Sequence, residues 1–193
     1  MSTMNSVTEY GEFDEKFQET FELFKRNIES DEEVGASFAV YKDGKPIIDL
    51  YGGFQDRDKK ISWNKDTLVN VHSTSKGIVA MVVAKLIDNG DLELDKRVCD
   101  YWPEFSENGK NNIRVKTLLS HQAGLYGWRE PLDETDFYKW DYVCELLAKQ
   151  KPFHEPNEEI CYHPKTIGFL VGELIKRITK KSVGKNLHEL LSK

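Results

Sequence analysis

The sequence predicts a mixed α/β (α+β) fold in which an N-terminal helix and a β-hairpin precede a largely helical region. Three observations predict this fold: aromatic residues at helical spacing, an Asp-Gly dipeptide between two runs of branched and aromatic residues, and several later helical segments. At 193 residues the chain has the length of one ordinary domain. We therefore expect a single domain over 1–193, with an N-terminal helix region (1–34), a hairpin (35–60) and a helical region (61–193).

The N-terminal helix is predicted by one aromatic face, since its members recur every three or four residues. They are Phe13, Phe17, Phe21, Phe24 and Ile28. The hairpin is predicted by Asp43-Gly44, because Asp-Gly favours the tight turn between antiparallel strands. Its strands are placed at 36–41 and 46–51. No later segment alternates like a strand, so we expect two strands and an open sheet edge through which the chain could self-associate.

Residues that begin or end helices divide the remaining region. Asn89-Gly90 is typical of a left-handed C-cap, Pro152 cannot continue a helix, and Ser182 is a favoured N-cap. The predicted helices cover 77–88, 113–120, 136–149 and 165–179, and a last one starts from Ser182.

Composition and charge narrow the classes of function. The chain has 27 basic and 33 acidic side chains, a net charge of −6, and its mean hydropathy is −0.58. These values argue against nucleic-acid and membrane partners. Cys99, Cys144 and Cys161 are far apart, as free thiols of a reducing compartment are, and the histidines lack metal-ligand spacing. Without a signal pattern or a long apolar run, we expect a cytoplasmic protein with no metal or organic cofactor.

One Ser-x-x-Lys pattern precedes an apolar helix. The pattern begins at Ser62, Ser73 and Ser182, but only Ser73 is followed by a segment, GIVAMVVA, apolar enough to be buried on nearly all faces. Residues three apart share a side of a helix, so the Lys76 amine can reach the Ser73 hydroxyl, where the N–H groups of the first turn favour negative charge. A capping Ser73 beside a solvent-directed Lys76 is the alternative, and the motif alone does not decide between them.

Three segments occur in a fixed order: STSKGIVAMVVAKLIDNGDLELDKRVCDYWPEF, IRVKTLLSHQAGL and YHPKTIGFLVGELIKRIT. From about Gly35 onward the chain resembles the N-terminal part of the serine β-lactamase-like superfamily, which includes class C β-lactamases, D,D-peptidases and family VIII carboxylesterases. The resemblance implies a β-lactamase/transpeptidase-like fold. It also implies that Ser73 is the acylated nucleophile, that Lys76 assists its deprotonation, and that Tyr162 is general base and then acid. His121 would support a loop.

Two departures from the family's pattern shape the expected function. Class C β-lactamases carry Tyr-Ser-Asn, whose Asn contacts the substrate amide, whereas this chain has Tyr162-His163-Pro164. That run looks more like the Tyr-His-x-x-Thr-x-Gly variant of esterase-like members, because Thr166 and Gly168 occupy the Thr and Gly positions of that motif. Family members also continue into strands that complete the sheet and supply a second oxyanion donor, so we expect a C-terminally truncated domain.

These observations favour a serine hydrolase that forms an acyl-enzyme with a small-molecule carboxylic ester or small amide, and that is esterase-like rather than a β-lactamase. Because the oxyanion strand is expected to be absent, activity of this chain by itself is left open. The alternative is a non-catalytic truncated or pseudo-enzyme of the same fold that acts by binding or assembly. A purely helical interaction module is a third, weaker reading.

A local conformation is also predicted before Tyr162. Relatives usually carry Pro-Gly where this chain has Pro156-Asn157. A type II turn with Pro at its second position needs a positive φ at its third, and Asn tolerates that conformation best after Gly. Asn157 is therefore expected in the left-handed region.

Overall fold

The computed structural model of the chain describes residues 6–192. They form two compact units, one up to Asn70 and one from Val71 onward, each with a hydrophobic core of its own. The first unit contains a sheet and the second is helical, so the mixed α/β fold class is confirmed. The single domain over 1–193 stays a prediction.

The first unit is a four-stranded antiparallel sheet with one helix, α1 (Gln18–Glu29). The strands lie in the order β1-β2-β4-β3. They are β1 (Ser6–Thr8), β2 (Gly11–Phe13), β3 (Gly35–Lys42) and β4 (Lys45–Gly53). The predicted hairpin is thus confirmed as β3 and β4. Asp43 and Gly44 form its turn with φ of 52° and 73°, the two positive values of a type I′ turn.

The segment before the hairpin differs from the prediction. Phe13, predicted on the N-terminal helix, lies in β2 opposite Ile48 of β4, and the helix starts only at Gln18. Pairing with β4 overrides the helical spacing, yet the Phe13 ring still stacks on Phe21 of α1 at 4.6 Å between centroids. Strands β1 and β2 were not predicted because three residues each are too few to show alternation. The described part of the chain therefore has four strands rather than two.

The second unit is built around one central helix. Its helices are α2 (Ser75–Asp88), α3 (Val98–Tyr101), α4 (Val115–Leu119), α5 (Trp140–Lys149), α6 (Thr166–Thr179) and α7 (Val183–Leu191). Helix α6 contacts all five of the others, and Leu170 and Leu174 place its apolar side in the core. Within residues 6–192, no helix has the length and apolar character to cross a membrane.

The predicted helix boundaries are close to those observed. Gly90 has a φ of 78° just after α2, and the Ser182 hydroxyl accepts the Lys185 N–H at 3.2 Å at the start of α7. Residues 136–138, predicted as the first turn of α5, form a separate 3₁₀ turn. The three cysteines are free thiols, as expected.

One face of α2 is exposed, contrary to the prediction that this helix is buried on nearly all faces. Val82, Val83 and Leu86 are buried in the core, but the side chains of Ile78 and Met81 are 41% and 47% exposed. A helix that is apolar all round needs cover on every side, and within the helical unit no residue between 71 and 192 covers this face.

Candidate active site

The three side chains that the sequence singles out for catalysis lie within hydrogen-bond distance of one another. Lys76 Nζ lies 3.0 Å from Ser73 Oγ, and the Tyr162 hydroxyl lies 2.9 Å from the same atom. The Lys76 ammonium also lies 5.1 Å from the centroid of the Tyr162 ring. Tyr162 is 89 residues away from Ser73, so it reaches this position only through the fold.

Ser73 stands in a 3₁₀ turn, His72–Thr74, that leads directly into α2. The serine therefore lies just before the α-helix rather than in its first turn, and the next turn of backbone carries Lys76 to the same side. The residue before it, His72, has a φ of 44°, a left-handed conformation that is uncommon outside glycine. Such strain is held by the surrounding structure and clusters at functional sites.

The Lys76 side chain has a second acceptor that sequence reasoning missed. Its Nζ donates to the backbone carbonyl of Pro164 at 2.8 Å. In the sequence, Pro164 is notable only because it replaces the Asn of class C β-lactamases. The motif does not indicate where the Pro164 carbonyl points. The half-buried ammonium is thus held between the Ser73 hydroxyl and this carbonyl.

The surroundings of Tyr162 favour its ionised form. Interaction with the Ser73 hydroxyl and then with the Lys76 ammonium, including its positive charge, holds the pKa of the Tyr162 phenol below its usual value, although partial desolvation acts the other way. This direction is the one that a tyrosine general base requires. Tyr162 is also 52% exposed to solvent.

The backbone around Tyr162 is tied to the loop that follows α4. The Cys161 N–H donates to the His121 carbonyl at 3.0 Å, and the His163 N–H donates to His121 Nδ1 at 3.1 Å. The His121 ring lies 5.0 Å from the Tyr162 ring, between centroids. Because it accepts this hydrogen bond, His121 Nδ1 carries no hydrogen, and burial followed by the Lys76 charge lowers the pKa of His121. These contacts agree with the supporting role expected for His121.

The left-handed Asn157 is confirmed, with a φ of 72°. The Glu158 N–H donates to the Glu155 carbonyl at 3.3 Å, which closes the predicted turn around Pro156 and Asn157. The Asn157 side chain also accepts the hydroxyl of the buried Thr117 at 2.7 Å. Asn157 thereby links the turn before Tyr162 to helix α4.

The other two Ser-x-x-Lys patterns have plainer surroundings. Ser182 caps α7 with its hydroxyl, which accepts a backbone N–H rather than an ammonium. Ser62 lies in the N-terminal unit, where its carbonyl accepts the Gln55 side chain at 3.1 Å. Only at Ser73 do the contacts include both a lysine and a tyrosine.

A pocket of about 260 Å³ opens beside Lys76, between α2 and α6. Its walls are mostly apolar, and His121 and Pro164 line it next to the ammonium; the apolar lining includes Val79, Val83, Leu119, Ile167 and Val171. In the described part of the chain, no group of three or more His, Cys, Asp or Glu residues is placed to hold a metal ion.

The sequence of this chain matches one protein-family model and is similar to a known protein whose name agrees with that family. The family model described as Beta-lactamase matches residues 22–193. The chain is 34% identical over 149 residues to the Esterase/beta-lactamase LipL of Mycobacterium tuberculosis, a match that covers 77% of this chain and 34% of that protein.

Solved structures share the arrangement of the chain over most of its length. A family VIII carboxylesterase is 43% identical with a TM-score of 0.86, and the match covers 90% of this chain and 48% of that one. A penicillin-binding protein homolog from Caulobacter crescentus is 36% identical with a TM-score of 0.89, covering 96% of this chain and 49% of that one. The chain spans about half the length of these structures and about a third of LipL.

Proposed function

The chain belongs to the beta-lactamase family, and we propose that it carries the nucleophile and the proton-transfer groups of a serine hydrolase for carboxylic esters. Ser73 is the nucleophile of this proposal, Tyr162 is the general base and then the general acid, and Lys76 is the cation that supports both. The reaction passes through an acyl-enzyme.

One observation carries the proposal: the Ser73 hydroxyl is in contact with both the Lys76 ammonium and the Tyr162 phenol. A serine hydroxyl is a weak nucleophile and needs a neighbouring base to take its proton. A structural serine at a helix start needs only backbone N–H partners, as Ser182 has. Tyr162 can act as that base, and the Lys76 ammonium can stabilise the negative charge that forms.

Proton transfer follows from this contact. Ser73 Oγ bonds to the ester carbonyl carbon while the Tyr162 phenolate takes the hydroxyl proton, and the bond to the alcohol then breaks as Tyr162 protonates the leaving oxygen. Water next gives a proton to Tyr162 and attacks the acyl carbon. The acid leaves, and Ser73 regains its proton from Tyr162.

The Lys76 ammonium has a fixed place in this scheme. Its hydrogen bonds to the Pro164 carbonyl and to Ser73 Oγ keep the positive charge about 5 Å from the Tyr162 ring centroid. There it stabilises the phenolate and the oxygen that loses its proton, because opposite charges at short distance favour the ionised forms. The backbone N–H groups at the start of α2 add positive potential for the oxyanion.

Esters are the proposed substrate class for two reasons. Pro164 has no side-chain amide with which to bind the amide of a β-lactam, and an ester does not need that contact. The relatives support the choice, since one is named a family VIII carboxylesterase and LipL is named an Esterase/beta-lactamase.

The test compares kcat/KM for a short-chain aryl ester with kcat/KM for a chromogenic cephalosporin. It uses the 193-residue chain and, in parallel, the longest form of the protein purified from its source cells. We expect the ester to be the better substrate and its turnover to disappear in Ser73→Ala. Ser182→Gly retains turnover because that serine only caps α7. Efficient cephalosporin turnover with poor ester turnover would refute the substrate class, and ester turnover that survives Ser73→Ala would refute the nucleophile.

A further inference from the structure

His163 lies in the sequence between the two groups that contact the Ser73–Lys76 pair. On one side, the Tyr162 hydroxyl meets Ser73 Oγ, and on the other, the Pro164 carbonyl meets Lys76 Nζ. The His163 side chain itself is fully buried, and its ring makes hydrogen bonds with backbone groups rather than with Ser73 or Lys76.

The hydrogen bonds of the ring determine its tautomer. Nδ1 lies 2.5 Å from the Cys161 carbonyl, which can only accept, so Nδ1 carries the hydrogen. Nε2 lies 3.1 Å from the Leu125 N–H, which can only donate, so Nε2 carries none. A protonated ring would direct a second N–H at the Leu125 N–H. The imidazole therefore fits its site only as the neutral Nδ1–H form.

The surroundings keep the ring neutral. Burial lowers the pKa of His163 to about 4, and the neighbouring imidazoles of His121 and His154 act in the same direction, while the Cys161 carbonyl opposes them. The ring thus remains a matched donor and acceptor throughout the pH range in which esterases are assayed. Through its hydrogen bond with the Leu125 N–H, the ring joins the loop at 121–125 to the segment 161–164, and both Leu125 and His163 are buried.

Packing alone does not explain where Tyr162 points. Its side chain is about half exposed, and its ring lies near the His121 ring and the Lys76 ammonium. The position of the phenol therefore depends on its backbone, which is fixed by the hydrogen bonds of residues 161 and 163 to His121 and Leu125.

We propose that His163 is a positioning residue that holds the Tyr162 hydroxyl at Ser73 and the Pro164 carbonyl at Lys76. One buried imidazole thereby sets two of the contacts of the Ser73–Lys76 pair. The importance of this role for catalysis rests on the proposed function, but the placement of the two groups does not.

The test measures the ionisation of the Tyr162 phenol by NMR, in the full chain labelled with carbon-13 at the tyrosine Cζ. The Tyr162 resonance is assigned with Tyr162→Phe. The wild type should titrate below the ordinary tyrosine value of about 10, because Ser73 and Lys76 stabilise the phenolate. His163→Phe keeps a ring of similar size but removes both hydrogen bonds, so the Tyr162 titration should move back towards about 10.

Conservative variants and a control separate positioning from stability. His163→Asn retains a donor near the Cys161 carbonyl, His163→Gln retains an acceptor near the Leu125 N–H, and either should restore part of the shift. Leu147→Ala removes buried side-chain volume in α5 without touching the site, so it should destabilise the unit and leave the Tyr162 titration unchanged.

Two results would overturn the proposal. One is a folded His163→Phe variant in which Tyr162 titrates as in the wild type. The other needs no variant: a nitrogen-15 spectrum of the wild type near pH 7 in which His163 is protonated, or carries its hydrogen on Nε2. Neither readout requires turnover, so a chain that passes both and hydrolyses no ester would keep the positioning role and lose the proposed function.

Discussion

Asn157 combines a strained backbone with a buried hydrogen bond, and replacing it should reveal both. Its φ is 72°, and its side chain accepts the hydroxyl of Thr117, which is buried in α4. Asn157→Ala should lower the free energy of unfolding by about 2–4 kcal/mol. About 1 kcal/mol of this arises because Ala tolerates the left-handed region less well than Asn does. The remaining ~1–3 kcal/mol comes from the unpaired Thr117 hydroxyl.

Asn157→Gly is the matched control for the backbone. Glycine adopts a positive φ without a steric cost, so this variant loses the hydrogen bond and adds only the backbone entropy of glycine in the unfolded chain. It should be more stable than Asn157→Ala by about 1 kcal/mol. Thr117→Val isolates the other contribution, because it removes the hydroxyl that would be left unpaired. In that background, Asn157→Gly should cost clearly less than in the wild type.

The assay is equilibrium unfolding in urea, followed by far-ultraviolet circular dichroism. Equal stabilities of the Ala and Gly variants would refute the backbone part of the argument. An Asn157→Gly cost that does not change in the Thr117→Val background would refute the hydrogen-bond part.

Two further predictions concern a buried cation and a sheet edge. Lys110 is fully buried, and burial lowers its pKa to about 8 from 10.5, so the unfolded chain binds more protons between these values. The free energy of unfolding should therefore rise by about 1–3 kcal/mol from pH 8 to 10 relative to Lys110→Met, and an identical pH dependence of both proteins would contradict this. Ala39→Lys places a cation on edge strand β3 opposite Asp49. It should reduce self-association, measured by sedimentation, without loss of stability. The control Ser30→Lys adds the same charge away from the sheet and should leave self-association unchanged.

Much of the fold follows from local signals that the structure retains. Asp43-Gly44 predicts the hairpin because a type I′ turn needs two positive φ values. Pro156 followed by Asn157 likewise predicts the left-handed conformation of Asn157. Such features depend on a few adjacent residues. Phe13 is the counterexample, since its helical spacing is overridden by pairing with β4, a contact that lies far away in the sequence.

The candidate site also contains residues that local sequence signals identify and residues that they do not. Spacing alone relates Ser73 to Lys76, but Tyr162 was selected through a family resemblance, because its 89-residue separation from Ser73 carries no local signal. The Pro164 carbonyl and the His163 ring were missed for a related reason. Their roles depend on the direction of a carbonyl and on a buried contact with Leu125, and neither can be read from residue types.

The most direct test of the central claim, that Ser73 is an activated nucleophile, is to map by peptide mass spectrometry where a fluorophosphonate probe attaches. The 193-residue chain and the form purified from source cells are treated with the probe in parallel. We expect a single adduct on Ser73 that is strongly reduced in Tyr162→Phe and Lys76→Met and unchanged in Ser62→Ala, whose serine lies in the N-terminal unit. Attachment at Ser62 or Ser182 in folded protein, with Ser73 unmodified, would contradict the account.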